Sequence, residues 1–197
     1  MDNNKDMLVN RFKEAYSVIN REGADKLLNY LEKSSDFFDA PASSRESFHL
    51  CFPQGLLLHS LNVYENLKWF NEKLNLGLSE ESVAICGLLH DVCKTGMYKQ
   101  TVKRKKEADG RWVDTIGYIV DEDIPYGHGE KSVYIISSFM KLTREEAMAI
   151  NWHMGAFDDR VKGGSYAFNN AIGKYPLLFW LMTADMKAAS LDEKDVK

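Results

Sequence analysis

The chain carries five histidines, His49, His59, His90, His128 and His153, and two acids in apolar company, Asp91 and Asp185. In "CGLLHDVCKTG", residues 86–96, an apolar run ends in His90-Asp91. An ionised carboxylate buried without a partner is costly, and near a helix C-terminus it also opposes the helix dipole. Asp91 therefore calls for a cationic neighbour. Asp185 makes the same demand from "LLFWLMTADMKAAS", where Leu178, Leu181, Met182, Ala188 and Ala189 are its helical neighbours. A buried ion pair with Lys94 or Arg160 would satisfy it. With His59, His90 and Asp91 available from other helices, a metal is the better explanation. Imidazole and carboxylate donors suit iron, manganese, zinc or nickel rather than a copper or iron–sulfur thiolate site.

Helices must bring these residues together. Apolar residues recur at helical spacing over about 5–20 and 24–33, with Ala40-Pro41 closing that region. From Pro53 to about Leu74, the series His59, Val63, Leu67, Phe70, Leu74 defines one helix stripe that includes the histidine. Ser79 is a plausible N-cap for a helix over 80–93, with Glu80 and Glu81 suiting its first turn. "TREE", 143–146, is a capping box opening a helix that stops near Gly155 and carries His153 after "AINW". Pro176 suits the first position of a last helix to about Ser190. Two strand-like runs around Asp109-Gly110 predict a β-hairpin inserted near residues 99–120.

With 197 residues, 45% hydrophobic and 27% charged, the chain suits one globular domain. A net charge of −4 argues against a protein that coats nucleic acid. No basic-then-apolar leader opens it, no apolar run approaches a membrane span, and Cys51, Cys86 and Cys93 are an odd number. Reduced cysteines and a cytoplasmic location are expected, with no membrane association and no obligate protein partner. Cys86 and Cys93 flank His90 at i−4 and i+3, which raises a zinc–thiolate alternative. No paired cysteines support it elsewhere, and both are read as small buried hydrophobes.

His59, then His90-Asp91, then a distant Asp185 resembles the HD-domain superfamily of metal-dependent phosphohydrolases, named for that His-Asp pair. The likeness runs through "QGLLLHSLNVYENL", "LLHDVCKTGMY", "GHGEKS", "NWHMGAFD" and "TADMKAAS", in the family's order. It is nearest to the HD domains of bacterial 3′-to-5′ exoribonucleases and of small phage-type hydrolases. Met182 stands where some relatives have a histidine. The resemblance implies an all-α helical bundle, a single HD domain over 1–197 with N-terminal helices over 1–35 and an HD core over about 36–190. It implies that His59, His90, Asp91 and Asp185 hold a first divalent metal, and that His128 and His153 hold a second, bridged by Asp91. Iron, manganese, zinc, nickel or magnesium would serve.

The activity so implied is hydrolysis of a small phosphate ester, a nucleotide or short oligonucleotide, by a hydroxide held between the ions. Lys94 would reach a phosphate oxygen, or simply satisfy the helix dipole. His49 is a candidate to protonate the leaving group, or a surface residue. Two other readings stand beside it: an HD-fold di-iron oxygenase, which the same six-residue pattern also resembles, and an inactive HD module that binds a nucleotide or a partner, against which the complete ligand set argues. "KRKK", 103–106, with Trp112 and Tyr118 on the partner strand, offers a lid over a nucleotide. The preferred reading is a solvated hairpin, with Lys103 and Lys105 on one side and Arg104 and Lys106 on the other.

Overall fold

A computed structural model describes residues 2–45 and 47–196, with the side chains of 2 and 3 set aside. Residues 1, 46 and 197, which fall within the expected domain span and its N-terminal helices, lie outside the described residues. The chain is mostly helical. In order come α1 (Asp2–Tyr16), α2 (Ala24–Lys33), α3 (Gly55–Leu74), α4 (Glu80–Leu89), the strands β1 (Tyr98–Lys106) and β2 (Trp112–Val120), then α5 (His128–Ser137), α6 (Arg144–Trp152), α7 (Asp159–Lys162), α8 (Ala167–Ile172) and α9 (Pro176–Lys187). The hairpin makes the fold all-α only approximately. No helix among the described residues is long and apolar enough to cross a membrane.

The longest helix, α3, forms the spine. Leu56, Leu57, Leu61, Val63 and Leu67 are buried along it and meet Ile85, Leu88 and Leu89 of α4 and Leu177, Leu178 and Leu181 of α9. Each such side chain contributes roughly 2 kcal/mol on leaving water. Gly87 lets α4 approach closely: a Cβ there would lie 2.5 Å from the Tyr64 Cα on α3. His59 and His90 are thereby brought onto facing helices.

Local signals set the helix starts. Ser79 Oγ accepts from the Ser82 amide at 3.1 Å, beside the first-turn acids Glu80 and Glu81. Thr143 and Glu146 complete the capping box of α6, at 3.2 and 2.7 Å. Glu146 has a second task. Its buried carboxylate accepts from Arg21 at 2.6 and 3.1 Å and from Ser82 Oγ at 2.8 Å. The N-terminal ends of α4 and α6 are so tied together, and their C-terminal ends converge on one cleft.

Three expected boundaries move. The helix expected over 80–93 stops at Leu89: His90 is its C-cap, and Asp91, at φ −105 and ψ 16, starts a short 3₁₀ turn over Val92–Lys94. The first helix ends at Tyr16 rather than near 20, and the chain turns again at Gly23, φ +87, to enter α2. The last helix leaves α geometry at Lys187 and continues as a π turn over Ala188–Asp192. The hairpin turns at Gly110, φ +86, and pairs Lys103 with Thr115 and Arg104 with Asp114, consistent with the expected alternation.

Candidate metal centre

Two helices end in the cleft in the same way. His90 caps α4 and donates Nδ1–H to the Gly87 carbonyl at 3.0 Å; His153 caps α6 and donates to the Ile150 carbonyl at 2.7 Å. Carbonyls in a helix's last turn lack helical donors, so they are natural acceptors for an imidazole folding back. Each such bond fixes the tautomer and leaves Nε2 with a bare lone pair. The negative ends of two helix dipoles also face this space, which favours a cation there.

Asp91 lies between those rings, 2% exposed. Its Oδ2 faces His59 Nε2 at 3.5 Å and His90 Nε2 at 3.6 Å, and takes a bond from Lys94 Nζ at 2.6 Å. Its Oδ1 faces His128 Nε2 at 2.6 Å and His153 Nε2 at 3.4 Å. One carboxylate thus addresses two pairs of histidines with separate oxygens. Asp185 reaches in from α9, its Oδ1 3.2 Å from His59 Nε2, so neither Lys94 nor Arg160 is its partner. Arg160 instead pairs with Asp158 and Glu130.

The six expected ligands are therefore brought together. Potential donor atoms of His59, His90 and Asp185 lie within 4.8 Å of one another, as do those of His90, Asp91 and His153. The chemistry of the donor set fits a cation on one observation above all. His153 Nε2 is buried, has no hydrogen-bond partner, and lies 3.4 Å from Asp91 Oδ1. A lone pair facing a carboxylate oxygen is repulsive unless a positive charge lies between them.

The electrostatics agree. Burial holds the His90 imidazole down to about 3, neutral and ready to donate a lone pair. Burial also opposes charge on His59, but bonds to Asp185 and Glu193 override it and raise the ring to about 10. His128 rises to about 10 in the same way, with Cys93 and Asp91 outweighing burial. The same acidic neighbours that favour a proton on these rings would favour a metal cation in its place. Asp91 is held well below the carboxylate range despite its burial, chiefly by Lys94 and His90.

The cleft over this floor has a volume of about 300 Å³ and is walled by Phe48, Tyr98, Met154, Phe157 and Met186, with Ser43 and Ser44 at its rim. His49 also lines it. Its ring lies tilted against that of His59, 4.8 Å between centroids at 38°, on a loop that packs tightly against the start of α3. A Cβ on Gly55 would lie 2.1 Å from the Leu50 carbonyl oxygen. His49 is half-buried rather than a surface residue, and burial lowers its pKa to about 4. A pKa so lowered favours the neutral imidazole at neutral pH, whereas a leaving-group acid must hold its proton there.

The surroundings bear on the cysteines and the hairpin as well. Cys86 is buried with its thiol pushed up by burial, as a small hydrophobe would be. Cys93 is buried too, and its Sγ stands 3.6 Å from both ring nitrogens of His128, so it lies beside that candidate ligand. On the hairpin, Tyr118 is buried and Trp112 exposed at the far end, and among the described residues only Tyr98 of the hairpin lines the cleft. Lys103 turns back to the Tyr118 and Ser44 carbonyls at 2.6 and 3.3 Å. The residue that sequence reasoning missed is Glu193, 1% exposed, whose two oxygens each lie 3.1 Å from His59 Nδ1.

The HD domain family matches residues 56–187, a span that holds all six candidate ligands and Lys94. The chain is a member of the HD-domain family. HD domains form a superfamily of metal-dependent phosphohydrolases, and the clustered His and Asp residues of this HD domain are of the kind that holds divalent metal. No curated protein and no solved structure matches the chain, so the narrower likeness to exoribonuclease and phage-type members rests on the sequence motifs alone.

Proposed function

We propose that this HD domain is a phosphohydrolase that uses two divalent metals to cleave a small phosphate ester, a nucleotide or short oligonucleotide. The observation that carries the reading is the division of Asp91, with Oδ2 toward His59 and His90 and Oδ1 toward His128 and His153. His59, His90, Asp91 and Asp185 would hold one ion; His128, His153 and Asp91 the other. Bound there, such ions supply Lewis acidity at phosphoryl oxygens and make a nearby water acidic near neutral pH.

The chain's own groups do the rest. Lys94 Nζ, now on Asp91 at 2.6 Å, becomes available to a non-bridging phosphate oxygen once cations share the Asp91 charge. His49 offers a neutral hydrogen-bonding edge beside it. Phe48 and Phe157 present exposed rings for a base or other apolar group to pack against. The cleft is at the small end of ligand pockets, which run roughly 300–1,000 Å³, and favours a substrate of nucleotide size over an extended polymer. A panel of nucleoside monophosphates, cyclic nucleotides and di- to tetranucleotides, with manganese under anaerobic conditions, tests the class. Hydrolysis of one group is expected, read as phosphate from the monophosphates and as mononucleotide from the cyclic nucleotides and oligonucleotides; hydrolysis of none would remove the substrate assignment.

A further inference from the structure

One histidine is gripped at both nitrogens by acids from a single segment. His59 Nε2 faces Asp185 on α9 at 3.2 Å, and its Nδ1–H lies between the two oxygens of Glu193 at 3.1 Å each. Between the two acids the chain makes the π turn, closed by the Glu193 amide on the Ala188 carbonyl at 3.0 Å. The segment is fastened to α3 at two more points. Asn62 Nδ2 donates to Glu193 at 2.9 Å, and Asn66 Nδ2 donates to Asp192 at 2.7 Å. Lys187 Nζ closes the knot on Asn66 and Asp192, each at 2.8 Å. His59, Asn62 and Asn66 are spaced i, i+3, i+7, one stripe of the helix.

Glu193 lies six residues past the end of the family match at 187, so the match does not assign it. Its side chain is fully buried, and the positive or donor groups recorded against it are His59, Asn62 and, at 3.9 Å, His49; no lysine or arginine pairs with it among the described residues. A carboxylate accepting from the distal nitrogen of a metal-bound imidazole fixes the tautomer and raises the basicity of the coordinating nitrogen. We infer that Glu193 is a positioning residue for the metal centre, holding His59 with Nε2 toward the first ion through a clasp that the C-terminal segment makes on α3. The assignment rests on His59 being a ligand.

Cobalt(II) is a probe that reads the site without turnover, since its visible spectrum reports ligand geometry. The full-length chain, stripped by a chelator, is titrated with cobalt alongside Glu193→Gln and Asn66→Ala. Glu193→Gln is expected to weaken cobalt binding roughly 10- to 100-fold and to alter the spectrum. Asn66→Ala, which loosens the clasp without touching His59, is expected to weaken it less. Should Glu193→Gln fail to fold, Glu193→Asp keeps the charge and shortens the arm, and is expected to show a smaller loss with a shifted spectrum. Affinity within twofold and an unchanged spectrum in the folded variant would overturn the inference, even if its melting temperature falls. No cobalt binding by the unaltered chain would overturn the metal centre as well.

Discussion

His90 and His153 meet edge to face, ring centroids 4.9 Å apart at 86°, each bonded through Nδ1 to the carbonyl three residues before it. The C-terminal ends of α4 and α6 are thus equivalent halves of one device. A helix that ends in histidine supplies the carbonyl that holds the ring's Nδ1 and turns Nε2 forward. Asp91, directly after one of those histidines, falls between the two.

Gly87 is where this device meets the packing. Gly87→Ala would force a methyl against the Tyr64 backbone on α3. A destabilisation of about 1–3 kcal/mol is expected from overpacking, together with weaker metal binding as His90 moves relative to His59. Chemical denaturation and metal titration check the two effects, and a variant that loses neither would contradict the close approach.

Lys94→Met removes the charge and keeps the length. Turnover is expected to fall roughly 100-fold, as when one preorganised donor to a developing charge is lost. Metal content should be retained, because the lysine competes with the cations for Asp91 rather than helping them bind. Metal analysis beside steady-state kinetics separates the two.

His49→Ala tests a neutral contact against an acid. Burial keeps the imidazole near 4, so it is uncharged from pH 6 to 9. The expected result is a roughly 10-fold loss in kcat/KM, the worth of one hydrogen bond, with the shape of the pH profile over that range unchanged. Loss of a basic limb would restore the acid role.

Glu146 predicts a pH effect on stability far from the cleft. Burial pushes its carboxyl up, but the bonds from Arg21, Thr143 and Ser82 more than offset this and hold it below its ordinary 4.5. A carboxyl depressed in the fold adds stability above its unfolded pKa, and that stability is lost as pH falls through the folded value. Glu146→Gln is expected to cost about 3 kcal/mol at pH 7, because Arg21 loses a buried partner. The gap between variant and parent should narrow as pH drops below about 4.5. Urea midpoints at pH 7, 5 and 3.5 measure it; a constant gap would contradict the ion pair.

Among the six candidate ligands, His59, His90, His153 and Asp185 were legible because each stands in an apolar stretch with little other use for a polar residue, whereas His128, between two glycines, was reached only through the family resemblance. His59 interrupts the stripe of α3, and Asp185 interrupts that of α9. The Thr143–Glu146 box and the Asp109-Gly110 turn were legible for local reasons, since each satisfies its own backbone within four residues. What escaped depends on contacts distant in sequence. Glu193 stands in "LDEKDVK", which by composition resembles a solvated tail, and only the π turn and the asparagines of α3 carry it inside. The break at His90 is invisible to periodicity, because the apolar spacing continues through Val92 while Asp91 is drawn out of the helix by Lys94 and His128.

The central claim is that Asp91 serves two cations in phosphate-ester hydrolysis. The most direct test is anaerobic turnover of a chromogenic phosphodiester with added manganese, comparing the unaltered chain with Asp91→Ala and counting bound manganese in both. The account predicts two ions and metal-dependent hydrolysis in the parent, with both lost in the variant. Hydrolysis that persists in Asp91→Ala, or a parent that binds manganese and releases no product, would contradict it.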